Sequence, residues 1–110
     1  RCTCARRLIL PVGLTGDDLL RRVLALLARL RVGPATDRPE PFMGPLVSAA
    51  AADSVFHAQA DLLSRGAVAL APCRPLAPAL LTPGLIDVTA VPDRADEEIF
   101  GPLLQVVRVR

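Results

Sequence analysis

The apolar positions of this chain alternate between short continuous runs and longer periodic stretches. Continuous runs at residues 6–11, 67–71 and 103–109 predict strands buried on both faces, as in a parallel sheet covered by helices. Two shorter strands are predicted at residues 79–81 and 85–88, around a turn at Pro83-Gly84.

The first periodic stretch predicts a helix over residues 16–31, because its leucines and valines recur at helical spacing. Thr15 is its predicted N-cap, and Asp18 stands three residues later as in a capping box. Residues 33–45 follow it and are rich in Pro and Gly, so they are predicted to be a connecting loop.

The second periodic stretch predicts a helix that is capped by Ser48, runs to Arg65 and stops at Gly66. Asp61 and Arg65 stand one helical turn apart and are expected to form an ion pair. Strands that alternate with helices indicate an α/β fold. We expect a three-layer αβα arrangement with a mostly parallel sheet.

Composition narrows the class of protein. The chain has 110 residues, 52% of them apolar, which is enough for one modest domain. All 13 basic residues are Arg, but they are scattered and the net charge is only +2, so no nucleic-acid partner is expected. No apolar run is long enough to span a bilayer, so no membrane partner is expected either.

The chain ends and the cysteine count set further expectations. The chain has no initiator Met and ends within an apolar pattern, so we expect a fragment of a longer protein. No signal peptide is visible, and three cysteines is an odd number. Reduced thiols in a cytoplasmic protein are the simplest interpretation.

Cys2 is the first candidate for chemistry. A thiol becomes a good nucleophile as a thiolate, which nearby positive charge favours, and Arg6 and Arg7 are close in sequence. A buried structural cysteine is the alternative, since free Cys is among the most buried residue types. The local sequence alone favours that alternative.

A metal site would have to use Cys2, Cys4, Cys73 and His57. The spacing Cys-x-Cys matches the usual zinc sites poorly. His57 is expected to be a solvated helix residue, one turn from Asp53. No metal is therefore predicted.

The second candidate stretch is Asp-Glu-Glu-Ile-Phe-Gly-Pro at residues 96–102. A carboxylate at a sheet edge, such as Glu98, can accept both hydroxyls of a ribose. Phe100 can present a flat apolar face to a cofactor ring. Gly101 allows close backbone approach, and Pro102 fixes the turn into the next strand. The acidic residues could equally be solvated surface charges.

Together these stretches resemble the aldehyde dehydrogenase superfamily. Cys2 lies in a segment similar to that around the family's nucleophile, and residues 97–102 match its Glu-Glu-x-Phe-Gly-Pro motif in full. Residues 43–48 and 81–88 resemble two further family stretches, the second with its Thr-Pro pair in reverse order. The matches occur in the family's order over all 110 residues.

Within the superfamily, the chain looks closest to the succinylglutamate-semialdehyde dehydrogenases of bacterial arginine breakdown. The stretches that carry this likeness are residues 1–8, 41–44, 80–88 and 96–106. The resemblance implies that residues 1–110 are part of the catalytic (thiol) domain, without the dinucleotide-binding domain. It also implies a small-molecule aldehyde substrate, N-succinylglutamate 5-semialdehyde, and a homo-oligomeric full-length enzyme.

The resemblance implies a mechanism as well. Cys2 attacks the aldehyde to form a thiohemiacetal, hydride leaves to NAD, and water then releases the acid from a thioester. Glu98 would hold the nicotinamide ribose, and Phe100 would pack near the nicotinamide ring. The family's general-base glutamate and oxyanion-stabilising asparagine lie upstream of its nucleophile, so the chain alone should not oxidise aldehydes.

Two alternatives stay open at this point. One is another NAD(P)-dependent aldehyde dehydrogenase with a different substrate. The other is a non-catalytic thiol or interaction module that keeps the fold without the site. The resemblance implies no catalytic role for Cys4, which could be a passive neighbour or an oxidation partner of Cys2. Cys73 is expected to be a structural cysteine.

Overall fold

A computed structural model describes residues 4–110 of the chain. Within this part there are two helices and six strands. The helices are α1 (Leu14–Leu27) and α2 (Ala49–Ser64). The strands are β1 (Arg7–Pro11), β2 (Val68–Ala71), β3 (Pro75–Ala77), β4 (Leu80–Leu81), β5 (Gly84–Asp87) and β6 (Leu103–Val109).

Four strands form the main sheet, in the order β1-β6-β5-β2. The central strand β6 runs parallel to both β1 and β5, and the edge strand β2 is antiparallel to β5. Strands β3 and β4 form a separate antiparallel pair. Strand β4 lies within the strand predicted at residues 79–81, whereas β3 was not predicted. The predicted mostly parallel sheet is confirmed.

The helices cover opposite faces of the sheet. Successive strand residues point to opposite faces, and β5 shows this with two fully buried neighbours. Leu85 packs into the apolar cluster that includes the inner side of α1, whereas Ile86 packs into the cluster that includes Ala52 and Val55 of α2. The three-layer αβα arrangement is therefore confirmed.

Helix α1 begins earlier than predicted, and its predicted cap is wrong. It starts at Leu14 with Gly13 as N-cap, at a φ of 97°, and Thr15 lies inside its first turn. The positive φ of Gly13 turns the chain directly from β1 into the helix. No side chain caps this helix start within the described residues. Asp18 forms ion pairs with Arg21 and Arg22 instead of completing a capping box.

Helix α1 also ends earlier than predicted, at Leu27 instead of residue 31. The carbonyl oxygen of Arg31 accepts hydrogen bonds from the backbone N–H groups of Phe42 and Met43, at 2.9 and 3.3 Å. Val32 forms a bridge with Met43. Contacts with a distant part of the loop thus replace the last helical turn, and they position the residues that precede α2.

Helix α2 follows the sequence rules closely. The Ser48 hydroxyl accepts a hydrogen bond from the Ala51 N–H at 3.1 Å, so the predicted N-cap is confirmed. The helix ends at Ser64, one residue before the predicted end, and Gly66 follows at a φ of 107°. Arg65 pairs with Asp61 at 3.4 Å, as predicted.

The strand predictions are accurate to within about one residue for β1, β2 and β6. Gly84 was expected in a turn, but it is the first residue of β5, because its N–H donates to the carbonyl oxygen of Pro102 at 2.7 Å. Neither described helix is long and apolar enough to cross a membrane.

Candidate active site

An open groove of about 570 Å³ lies where three segments of the chain meet. Residues 4–6 lead into β1, residues 42–47 precede α2, and residues 98–102 lead into β6. Ala51, in the first turns of α2, also lines the groove. Glu98 and Phe100, two of the predicted site residues, both lie here. Cys2, the third, lies outside the described residues.

The parallel pairing of β1 with β6 brings two of these segments together. Arg7 pairs with Gln105 in register, and the Gln105 N–H donates to the Arg6 carbonyl oxygen at 3.0 Å. The residues before β1 therefore run alongside the residues before β6. The groove lies at the amino ends of these strands, whereas open α/β sheets usually bind ligands at the carboxyl ends.

Glu98 forms an ion pair with Arg6 through its Oε1 atom. The Glu98 side chain is 27% exposed and that of Arg6 is 41% exposed, so the pair is partly shielded from water. Arg7, the next residue, pairs with Asp96 at 3.2 Å and donates to the Ala95 carbonyl oxygen at 3.1 Å. Two adjacent arginines thus hold the acidic segment against the start of β1.

Phe100 and its neighbour Ile99 differ in burial, although both line the groove. Ile99 packs against the apolar core under α2, whereas Phe100 is 72% exposed on the groove. Phe42 and Val47 line the same groove and are also exposed. A cluster of exposed large apolar side chains around a concave surface is typical of a binding site.

The turn after Phe100 packs against helix α2 and is hydrogen-bonded to Gly84 and Cys73. A Cβ added at Gly101 would lie 2.3 Å from the Cγ2 atom of Val55 in α2. The carbonyl oxygen of Pro102 accepts hydrogen bonds from the Gly84 N–H at 2.7 Å and from the Cys73 thiol at 3.4 Å. The close approach predicted at Gly101 is therefore an approach to helix α2.

The aldehyde dehydrogenase family profile matches residues 1–110. The chain belongs to the aldehyde dehydrogenase family. The family predicted from the motif at residues 97–102 and the other matching stretches is therefore confirmed.

Curated relatives carry the name of the branch that the sequence resembles. The chain is 56% identical over 110 residues to N-succinylglutamate 5-semialdehyde dehydrogenase of Pseudomonas fluorescens (strain Pf0-1), covering 98% of this chain and 22% of that protein. It is 53% identical over 108 residues to the enzyme of the same name from Vibrio cholerae serotype O1 (strain M66-2), covering 98% and 22%. The chain thus spans about a fifth of the length of these relatives.

Solved structures of aldehyde dehydrogenases have the same fold. Methylmalonate-semialdehyde dehydrogenase from Oceanimonas doudoroffii matches with a TM-score of 0.86 and 29% identity, covering 99% of this chain and 24% of that one. A 1-pyrroline-5-carboxylate dehydrogenase from Thermus with bound NAD matches with a TM-score of 0.83 and 34% identity, covering 100% and 21%.

Cys73 of this aldehyde dehydrogenase chain is buried beneath the groove. The Gln59 side chain hydrogen-bonds both backbone groups of Cys73, accepting from its N–H at 2.9 Å and donating to its carbonyl oxygen at 3.2 Å. Burial raises the pKa of the Cys73 thiol to about 11, so the thiol is protonated at neutral pH. These contacts agree with the non-catalytic role expected for Cys73.

The remaining candidate residues lie away from Glu98 or line the same groove. Cys4 is exposed on the groove, and His57 is exposed on α2. Glu97 is exposed and lines a smaller cavity with Arg65 and Arg94. Within residues 4–110, no group of three or more His, Cys, Asp or Glu side chains could hold a metal ion.

The sequence did not indicate the partner of Glu98. In the sequence, Arg6 stands out only as positive charge close to Cys2, and residues 42–47 only as part of a loop and of a family-like stretch. The one available signal was charge complementarity between the Arg6-Arg7 pair and residues 96–98. That signal becomes useful only once β1 and β6 are known to be neighbours.

Proposed function

We propose that this chain is the nucleophile-bearing part of the catalytic domain of an NAD-dependent aldehyde dehydrogenase. Its proposed substrate is N-succinylglutamate 5-semialdehyde, and its product is N-succinylglutamate. The observation that carries the proposal is the meeting of residues 4–6 with Glu98 and Phe100 on one groove. In the sequence, residue 4 comes two positions after Cys2. The names of the relatives support the choice of substrate.

The groove residues fit a nicotinamide nucleotide. Glu98 presents a half-buried carboxylate that can accept hydrogen bonds from ribose hydroxyls, and Phe100 presents an exposed aromatic ring beside it. Glu98 would therefore hold the nicotinamide ribose, and Phe100 would pack near the nicotinamide ring. NAD supplies the hydride acceptor for the oxidation when it is bound. A related Thermus enzyme has been solved with bound NAD.

Cys2 would act as the nucleophile. Its thiolate forms a carbon–sulfur bond to the aldehyde carbon, which gives a thiohemiacetal. After oxidation the acyl group remains on Cys2 as a thioester, and water releases the carboxylic acid and restores the thiol. The role of Cys2 is supported by its position in the family motif.

The rest of the enzyme would lie outside this chain. The general base, the oxyanion donor and the dinucleotide-binding domain would belong to the remainder of the full-length protein. The relative from Pseudomonas fluorescens is about five times as long as this chain. We further propose a cytoplasmic homo-oligomer, with the resemblance to the family as its only support.

The test is NAD reduction by the full-length enzyme. We expect turnover with N-succinylglutamate 5-semialdehyde to be much faster than with simple aliphatic aldehydes of similar reactivity. Equal rates would overturn the substrate assignment and leave a general aldehyde dehydrogenase.

Two cysteine variants test the nucleophile. Cys2→Ser should abolish turnover, whereas Cys73→Ser is the matched control and should retain it. Full activity of Cys2→Ser would overturn the mechanism. Alkylation of Cys2 no faster than alkylation of Cys73 at neutral pH would instead favour a non-catalytic thiol module.

A further inference from the structure

We propose that Arg6 is a positioning residue that holds the Glu98 carboxylate in place for the ribose of the cofactor. This inference rests on the proposed function, because it assigns to Arg6 a part in the cofactor-binding role of Glu98. It begins from the ion pair between the Arg6 guanidinium and Glu98 Oε1 at the groove.

Glu98 needs such a partner because its own segment has no regular structure. Residues 94–100 belong to no helix or strand, so the backbone does not limit the direction of the Glu98 side chain as a sheet would. A free Glu side chain samples many rotamers, and fixing it costs conformational entropy. A binding site whose carboxylate is already oriented does not spend binding free energy on that ordering.

Arg6 is itself well anchored. Its carbonyl oxygen accepts from the Gln105 N–H at 3.0 Å, which ties the Arg6 backbone to the central strand β6. A guanidinium only donates hydrogen bonds, so it attracts and orients a carboxylate oxygen, which accepts them. The ion pair with Arg6 is formed through Oε1, and a carboxylate has a second acceptor oxygen, Oε2. That oxygen can accept from a ribose hydroxyl.

The neighbouring ion pair of Arg7 with Asp96 can distinguish a positioning role of Arg6 from a role that only joins two segments. Arg7 pairs with Asp96, but neither residue lines the groove, and the Asp96 side chain is 99% exposed. Both pairs join the start of β1 to the same acidic segment. Only the pair of Arg6 and Glu98 joins them at the cofactor groove, so the Asp96 pair provides a matched control.

The experiment measures KM and Kd for NAD in the full-length enzyme. Arg6→Gln should raise both by about fivefold, the effect of losing a partly exposed ion pair. The KM for the aldehyde should change much less than the KM for NAD. Arg6→Lys should recover part of the NAD affinity, because it restores the charge without the geometry of the guanidinium.

A double variant tests whether Arg6 acts through Glu98. Arg6→Gln combined with Glu98→Gln should bind NAD no more weakly than Glu98→Gln alone, because the Arg6 effect requires the carboxylate. Asp96→Asn, the control, should leave the KM for NAD within about twofold, since an exposed ion pair contributes little.

Several outcomes would overturn the inference. They are unchanged NAD affinity in Arg6→Gln, additive effects in the double variant, or an equal loss in Asp96→Asn. Should Arg6→Gln fail to fold, Arg6→Lys and Glu98→Asp replace it, and unchanged NAD affinity in both would be equally decisive. If the wild-type enzyme is active and Arg6→Gln binds NAD with unchanged affinity, only the role of Arg6 is refuted. A wild-type enzyme that oxidises no aldehyde with NAD would refute the proposed function and this inference with it.

Discussion

Gly101 lies against Val55 so closely that a Cβ at Gly101 would come within 2.3 Å of the Val55 Cγ2 atom. Val55 is fully buried in the core under α2. This contact places the segment that carries Glu98 and Phe100 directly on the apolar core. The position of the candidate cofactor residues is therefore coupled to the packing of α2.

Gly101→Ala should destabilise the protein by about 1–3 kcal/mol, because an added methyl group in a packed core forces backbone or side-chain shifts. Chemical denaturation of the full-length enzyme would measure the loss. Gly44→Ala is the matched control, since Gly44 lines the same groove but its nearest neighbour would be 3.8 Å from an added Cβ. Equal losses in the two variants would contradict the steric explanation.

Ile99 and Phe100 should respond to truncation in opposite ways. Ile99→Ala should lower the free energy of unfolding by about 2 kcal/mol, because it removes apolar contacts from the core. Phe100→Ala should leave stability nearly unchanged, since the ring is 72% exposed, but raise the KM for NAD. Denaturation and steady-state kinetics on both variants would check this. A destabilised Phe100→Ala with normal NAD affinity would contradict the role proposed for the ring.

Cys73 should make stability depend on alkaline pH. Burial raises the pKa of its thiol to about 11, while an unfolded cysteine has a pKa of about 8.5. The unfolded thiol therefore loses its proton first. The stabilisation is fully present below about pH 8.5 and falls by up to about 1.4 kcal/mol per pH unit as the pH rises toward 11.

Cys73→Ser removes this thiol and provides the measurement. Unfolding midpoints between pH 8 and 10.5 should fall less steeply in Cys73→Ser than in the wild type. Alkylation at pH 8 should modify Cys4, which is exposed, well before Cys73. Parallel pH dependences in the two proteins would contradict the raised pKa.

Gln59→Leu should destabilise the protein by about 2–3 kcal/mol. The substitution removes both hydrogen bonds to the Cys73 backbone and leaves a buried N–H and a buried carbonyl oxygen unpaired. Gln105→Leu is the matched control, because Gln105 is also buried but lines the small cavity with Arg65 and Arg94 instead of bonding the backbone of Cys73. Thermal unfolding of both variants would compare them, and similar losses would contradict the explanation.

The sequence by itself determined most of the local structure. Ser48 and Gly66 mark the ends of α2 because capping and a left-handed glycine act through neighbouring atoms. Apolar runs predicted the positions of the strands, but the expected burial on both faces is wrong for the edge strands β1 and β2, which are largely exposed in this chain. The family, the branch and the candidate residues Cys2, Glu98 and Phe100 came from motifs in the family's order.

Only the tertiary structure decided how the candidate site is supported. The pairing of Arg7 with Asp96, 89 positions away, and that of Arg6 with Glu98 depend on the register between β1 and β6. The contact of Gly101 with Val55 depends on how α2 crosses the sheet, and the early end of α1 depends on the loop that reaches back to Arg31. Local periodicity carries no information on these contacts, because they join segments that meet only after the sheet has formed.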